Sequence, residues 1–308
     1  MPPPRLQLST LSTHMPTIVH ILNSSPATAS IDPRLALYAN LKDSRLRALE
    51  AAGGLGRFIA EGPLVVHEAL IRAQDNTLDA LTSRPPIRIS SILIDQEAIT
   101  THADLLALAA DDVPVYAAPA ALLQSILGFD FHRGILACGV RPPDHDWVSL
   151  ARDASTLIIM EDLANHDNVG SIFRTVAALA GPNAAVLVTP RSCDPLYRKS
   201  LRVSIGLCLR IPFARIDPWP ESIPQLHALG YRICALTPSP QAVSLQEFAR
   251  SSTGRIAIIV GAEGPGLCTQ TLVSQYVKNV RIDMAPDVDS LNVGVAVGIA
   301  LSHLIRLT

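Results

Sequence analysis

Three short stretches of this 308-residue chain concentrate residue types that could do chemistry. Residues 161–175, EDLANHDNVGSIFRT, set Asn168, Gly170 and Arg174 in the spacing N-x-G-x-x-x-R. Gly170 suggests close approach of a backbone or ligand, and Arg174, about one turn on, shares its helix face. Residues 261–266, GAEGPG, place three glycines and Pro265 around Glu263, a rigid turn that exposes backbone amides and carbonyls. Residues 284–292, MAPDVDSLN, carry Asp287, Asp289, Ser290 and Asn292 into a long apolar run. A polar loop entering a buried helix puts hydroxyls and amides where unpaired N–H groups and the positive dipole end lie. Each stretch has a plainer reading when taken alone. Arg174 reads as an exposed helix arginine, the glycine loop as a turn with a solvated Glu263, and the last stretch as a Ser or Asp cap on a core helix. The order G-x-x-G-x-G is not the dinucleotide fingerprint, and Glu263 would oppose a pyrophosphate, so a nucleotide-dependent oxidoreductase is disfavoured.

The elements around these stretches place all three on one side of a sheet. Apolar strands are expected at 156–161, 184–189, 210–216, 231–236, 255–260 and 277–284. Helices are expected at 169–180, 195–203, 221–229, 270–275 and 291–306. Continuous apolar strands between helices imply a largely parallel sheet covered on both faces. Such sheets bind ligands beyond the carboxyl ends of their strands, and the three stretches follow the first, fifth and sixth strands of this set. Upstream, strands at 16–22, 57–61, 89–95, 113–117 and 134–140 alternate with helices at 33–51, 63–74, 101–109 and 119–127, a second α/β domain. The polar, proline-bearing RPPDHDW at 141–147 is the linker candidate. The division expected is a disordered tail at 1–14, one domain at 15–143 and another at 144–308, with Met15 a plausible start.

Bulk composition narrows the class. Hydrophobic residues make up 48% and charged residues 17%, which suits packed domains and excludes a disordered or coiled-coil chain. A net charge of −2 means that any nucleic-acid contact must come from a local basic patch. The five cysteines are scattered, with no metal-ligand spacing, and read as core residues of a reducing, cytoplasmic protein, Cys268 being the one in a loop. The strictly apolar run at 293–301 is far short of the ~18 residues that a membrane helix needs.

Together, NVGSIFRT, IVGAEGPGL and IDMAPDVDSLNVGVAVGIAL resemble, in order and separation, the three motifs of the SpoU (TrmH-like) branch of the SPOUT RNA methyltransferases. DPLYRKSLRVSIG at 194–206 is similar to the family's segment between the first two motifs, and residues 155–308 are covered. RFIAEGPLVVHEAL at 57–70 and HRGILACGV at 132–140 resemble the family's L30e-like substrate-binding domain more weakly. Asp283 and Gly294 depart from the family's usual Pro and Ser.

The resemblance implies an α/β fold with a deep trefoil knot and a mostly parallel sheet in the C-terminal domain. It implies transfer of a methyl group from S-adenosylmethionine to a ribose 2′-OH of rRNA or tRNA, rRNA being favoured, by a homodimer with no metal. Leu236, Gly261, Ile282 and Leu291 would bind the adenosyl part. Asn168, Arg174, Glu263, Ser290 and Asn292 would form the catalytic set, with Arg174 orienting a phosphate and stabilising alkoxide charge or acting on the hydroxyl proton. Candidate RNA contacts are Arg191, Arg198, Lys199 and Arg202, with Arg34, Lys42, Arg45, Arg47 and Arg57 in the first domain. Aromatic residues are only 4%, which favours recognition through phosphates and RNA shape. A catalytically silent RNA-binding protein is the alternative.

Overall fold

The computed structural model describes residues 16–21, 32–39, 41, 56–74, 87–128, 131–250 and 254–305. These fall into two compact units, one ending at Arg141 and the other running on from Pro142.

The first unit holds β1 (Ile18–His20), β2 (Arg57–Glu61), β3 (Arg88–Asp95), β4 (Val115–Ala118) and β5 (Ile135–Val140) in the order β1-β4-β3-β5-β2. The β1–β4 and β4–β3 pairs are parallel, whereas β5 runs antiparallel to both β3 and β2. Helices α1 (Pro63–Gln74), α2 (Ala103–Leu106) and α3 (Ala120–Leu127) connect the strands. Pro63 sits at the first helical position, where its missing N–H costs nothing. Of the helix expected at 33–51, the described part is a 3-10 turn, Pro33–Tyr38, and residues 42–51 lie outside the described residues. Asp32 caps this turn, accepting from the Arg34 N–H at 2.9 Å, and it stops at Ala39, whose backbone is extended. Leu35, Ile59, Leu93 and Leu136 build the core, into which the Tyr38 hydroxyl donates to the Ser91 carbonyl at 2.9 Å.

The second unit is a wholly parallel seven-stranded sheet. Its strands are β6 (Thr156–Met160), β7 (Ala184–Val188), β8 (Phe213–Arg215), β9 (Arg232–Leu236), β10 (Val243–Ser244), β11 (Ile256–Val260) and β12 (Val277–Arg281). Their order is β10-β12-β9-β11-β6-β7-β8. Every residue of β6, β7 and β11 is buried, as strands covered on both faces must be. Leu157 and Ile159 pack on one face with Leu150, Tyr231 and Ile259, and by strand alternation Ile158 serves the other.

The helices are α4 (Trp147–Asp153), α5 (His166–Leu179), α6 (Arg198–Val203), α7 (Ile223–Ala228), α8 (Leu245–Arg250), α9 (Thr269–Val273) and α10 (Val293–Leu304). Two of them were not expected. α4 begins at the end of the supposed linker, because the Asp146 carboxylate accepts from the Ser149 N–H at 2.8 Å and caps it. α8 follows the two-residue β10. α5 starts three residues early, since Asn165 caps it through the Asp167 N–H at 2.9 Å.

At the amino edge of this sheet the polar groups are matched internally. The Arg255 guanidinium donates to the Leu229 carbonyl at 3.1 Å, Arg152 at 2.7 Å and Ala154 at 2.6 Å. It also lies 4.6 Å above the Tyr231 ring, whose hydroxyl donates to the Ala151 carbonyl at 3.0 Å.

Candidate active site at the carboxyl edge of the parallel sheet

Beyond the carboxyl ends of β9, β11 and β12 lies a cavity of about 700 Å³, within the range of small-molecule sites. The strand ends supply Leu236, Val260 and Ile282. Residues 261–267 and the segment after β12 form its rim. Leu236, Gly261, Ile282 and Leu291, the four residues expected to bind the adenosyl part, all line it, as do Glu263, Ser290 and Asn292.

The backbone of the glycine loop is folded tightly on itself. Gly266 N–H donates to the Ala262 carbonyl at 2.9 Å. A Cβ on Gly261 would stand 2.4 Å from the Gly266 carbonyl carbon, so only glycine allows the two strands of the loop to touch. The result is an apolar floor of Leu236, Val260, Leu267 and Val293 edged by main-chain groups, which suits a ligand with a planar, hydrogen-bonding base.

Asn292 joins the three polar stretches. Its Oδ1 accepts from the Gly294 N–H at 2.9 Å and the Val295 N–H at 3.4 Å, so it is the cap of α10, in place of the Ser or Asp read from sequence. Its amide Nδ2–H donates to Asn168 Oδ1 at 2.9 Å and to Glu263 Oε1 at 3.4 Å. Asn168 is buried in the first turn of α5, which places its acceptor under the start of α10. Ser290 stands exposed on the cavity rim. Arg174 is not in the cavity lining. It is exposed on α5, six residues along from Asn168, roughly 9 Å of helix rise. Among the described residues it has no hydrogen-bond or ion-pair partner. Gly170 does mark a close approach, but to protein: its Cβ would fall 2.6 Å from the Ser200 carbonyl, where the end of α6 packs on α5.

The candidate RNA-contacting cations divide into groups. Arg191 is bonded to Asp162 and Lys199 reaches Asp167 at 2.7 Å, so each presents less net charge than its sequence suggests. Arg34 is paired with Asp32 at 2.6 Å. Arg198 and Arg202 are half-buried on α6, and Arg57 opens β2. Lys42, Arg45 and Arg47 lie outside the described residues. Asp162 adopts a left-handed backbone, φ 56°. Partial burial pushes its carboxyl up, but the bonds from Arg191 and Thr189 outweigh this and hold it below the usual carboxylate range. His166 packs against Tyr197 with the rings tilted at 50° and centroids 4.4 Å apart, and its Nδ1 lies 3.6 Å from Cys193 Sγ.

Thr237, Pro238 and Met284 also line the cavity and were not singled out from sequence. Their position directly after apolar strands was the available signal.

Residues 155–302 match the model of the SpoU rRNA Methylase family. The chain is 36% identical over 277 residues to a Mycobacterium tuberculosis protein described as an uncharacterised tRNA/rRNA methyltransferase, covering 89% of each. The chain belongs to the SpoU rRNA methylase family. A 23S rRNA (guanosine-2′-O-)-methyltransferase of Acinetobacter baylyi is 29% identical over 195 residues, 60% of this SpoU chain and 75% of that one. The crystal structure of an AdoMet-bound rRNA methyltransferase from Sinorhizobium meliloti superposes with a TM-score of 0.69, at 18% identity, over 93% of this chain and 97% of that one. At that identity it speaks to the fold, and the mostly parallel α/β architecture of the SpoU proteins is the one found here.

Proposed function

We propose that this SpoU-family chain transfers a methyl group from S-adenosylmethionine to a ribose 2′-OH of rRNA or tRNA, rRNA being the favoured class. The observation that carries the reading is the Asn292 junction. One side chain links Asn168, Glu263 and the start of α10 at the mouth of a glycine-edged cavity. A silent RNA-binding protein has no need of that arrangement. The ribose assignment is supported by the 2′-O-methylating relative from Acinetobacter baylyi.

Leu236, Gly261, Ile282 and Leu291 are the residues that hold the cofactor, largely through main-chain groups in need of partners. Bound S-adenosylmethionine supplies an electrophilic methyl on a sulfonium. The chain must orient the attacking hydroxyl and stabilise the oxygen as its proton leaves. Asn168, Asn292 and Glu263 keep the loops in register, and Ser290 offers a hydroxyl on the rim. The exposed Arg174 guanidinium is suited to gripping an RNA phosphate and to stabilising negative charge on the ribose oxygen. Arg198 and Arg202, with Arg191 and Lys199, extend the contact along the RNA backbone.

The first unit serves as the L30e-like RNA-binding domain, and the chain's path after Asp283 is the family's knotted one. The exposed Val288, Leu291 and Val295 support a homodimer through the second unit. Five cysteines without a disulfide fit a reducing cytoplasm. The test is methyl transfer from labelled S-adenosylmethionine to RNA of a strain lacking the gene, followed by digestion to nucleosides. Label on ribose is the expected result, and label on a base overturns the 2′-O assignment. Elution at twice the 32.9 kDa chain mass tests the dimer.

A further inference from the structure

Glu161 directly follows β6, is 2% exposed, and has no cation within ion-pair distance of its carboxylate among the described residues. Three uncharged donors from two other segments converge on it. The Trp219 indole N–H reaches Oε2 at 2.7 Å and the Thr271 hydroxyl reaches the same oxygen at 2.6 Å. The Cys268 backbone N–H donates to Oε1. The main chain of Glu161 takes part as well, its N–H donating to the Val260 carbonyl at 2.8 Å.

Val260 and Cys268 flank the glycine loop at 261–267 that edges the cavity. A single residue therefore ties down both ends of that loop, one through its backbone and the other through its side chain. Three glycines make this loop costly to order, and across it Gly266 N–H donates to the Ala262 carbonyl. An ionised carboxylate is acceptor-only, so it can satisfy three donors at once with charge-assisted bonds. A glutamine there would turn its NH₂ toward at least one donor.

We propose that Glu161 is a positioning residue for the cofactor loop. It fixes residues 261–267 in the shape that receives the adenosyl group, and it acts through Cys268 and Thr271 without touching the ligand. This rests on the assignment of the cavity to S-adenosylmethionine.

The test is calorimetric titration of S-adenosylhomocysteine into wild type, Glu161→Gln, Thr271→Val and Tyr231→Phe, with melting temperatures and kcat at saturating S-adenosylmethionine. Tyr231→Phe removes a buried hydroxyl bond at the opposite edge of the sheet and serves as the matched structural control. Glu161→Gln is expected to weaken binding by about tenfold, the worth of one good hydrogen bond. Thr271→Val should weaken it less, and Tyr231→Phe should bind normally even where it melts earlier. In Glu161→Gln the KM for cofactor should rise while kcat holds. The proposal is overturned if Glu161→Gln binds like wild type, or loses no more affinity than Tyr231→Phe. It also falls if kcat drops while KM is unchanged. If wild type itself fails to bind, the cofactor assignment fails, an outcome separable because it needs no variant.

Discussion

At the amino edge of the seven-stranded sheet, Arg255 sits over Tyr231 and donates to carbonyls that precede β6 and β9. At the carboxyl edge of the same strands, Leu236, Val260 and Ile282 end on loops whose main-chain groups face a cavity of about 700 Å³. At the amino edge the Arg255 guanidinium meets main-chain carbonyls that end the preceding helices. The carboxyl edge keeps amides and carbonyls in hand, shaped by Gly261 and tied by Asn292 and Glu161. Parallel sheets bind ligands beyond the carboxyl ends of their strands, and that is the edge to which the proposed chemistry is assigned.

Removing the exposed cation on the open edge should have the largest effect. Arg174→Ala is expected to lower kcat for RNA methylation by about 10³-fold, the scale of losing a donor to a developing oxyanion. S-adenosylhomocysteine affinity should stay at the wild-type level, because Arg174 does not line the cavity. Full activity in this variant would strip Arg174 of its role. On the latched edge the expectation reverses. Arg255→Ala leaves several carbonyls without donors and should cost about 2–3 kcal/mol in urea unfolding. Its methyl-transfer activity, assayed well below the melting temperature, should be retained.

Much of the open edge was legible in the sequence. Leu236, Gly261, Ile282 and Leu291, named through the family resemblance, line one cavity: the first three end or follow apolar strands, and Leu291 lies in the loop after β12. α1 and β2 were bounded correctly, since Pro63 marks the first helical turn and the charged Arg57 and Glu61 bracket the apolar Phe58, Ile59 and Ala60. What could not be read were contacts between distant segments. Glu161 meets partners 58, 107 and 110 residues away, and no local pattern announces them. Asn292 was expected in the site but not as the cap of α10, because Asp289 and Ser290 compete for that place in the sequence and only backbone geometry decides. α4 was hidden by the prolines of the preceding linker, and α8 by its brevity. Gly170 was correctly read as a close approach, but its neighbour is the Ser200 carbonyl and not a ligand.

Two smaller effects sharpen the contrast between filled and open regions. Burial pushes the thiols of Cys138 up to about 11 and of Cys208 and Cys234 up to about 12, so all three stay protonated and enclosed near neutral pH. Cys193 and Cys268, both in loops after strand carboxyl ends, are partly exposed. Brief alkylation of the folded protein followed by peptide mass mapping should label those two and spare the other three. The smallest effect concerns Asp162. Its carboxyl is depressed in the folded chain, so its stabilising contribution is present above the unfolded value near ~3.9 and is lost as pH falls through the folded value. Wild type and Asp162→Asn should therefore differ in melting temperature above about pH 4 and converge in stronger acid.

The most direct test of the division between the two edges is a pair of calorimetric titrations with S-adenosylhomocysteine. Gly261→Ala forces a methyl group against the Gly266 backbone inside the proposed cofactor loop, whereas Arg255→Ala disturbs only the latch. Loss of binding in Gly261→Ala, with wild-type affinity in the folded Arg255→Ala protein, is the result expected. Undiminished binding by Gly261→Ala, or equal loss in both, would contradict the assignment of the cofactor to the carboxyl edge.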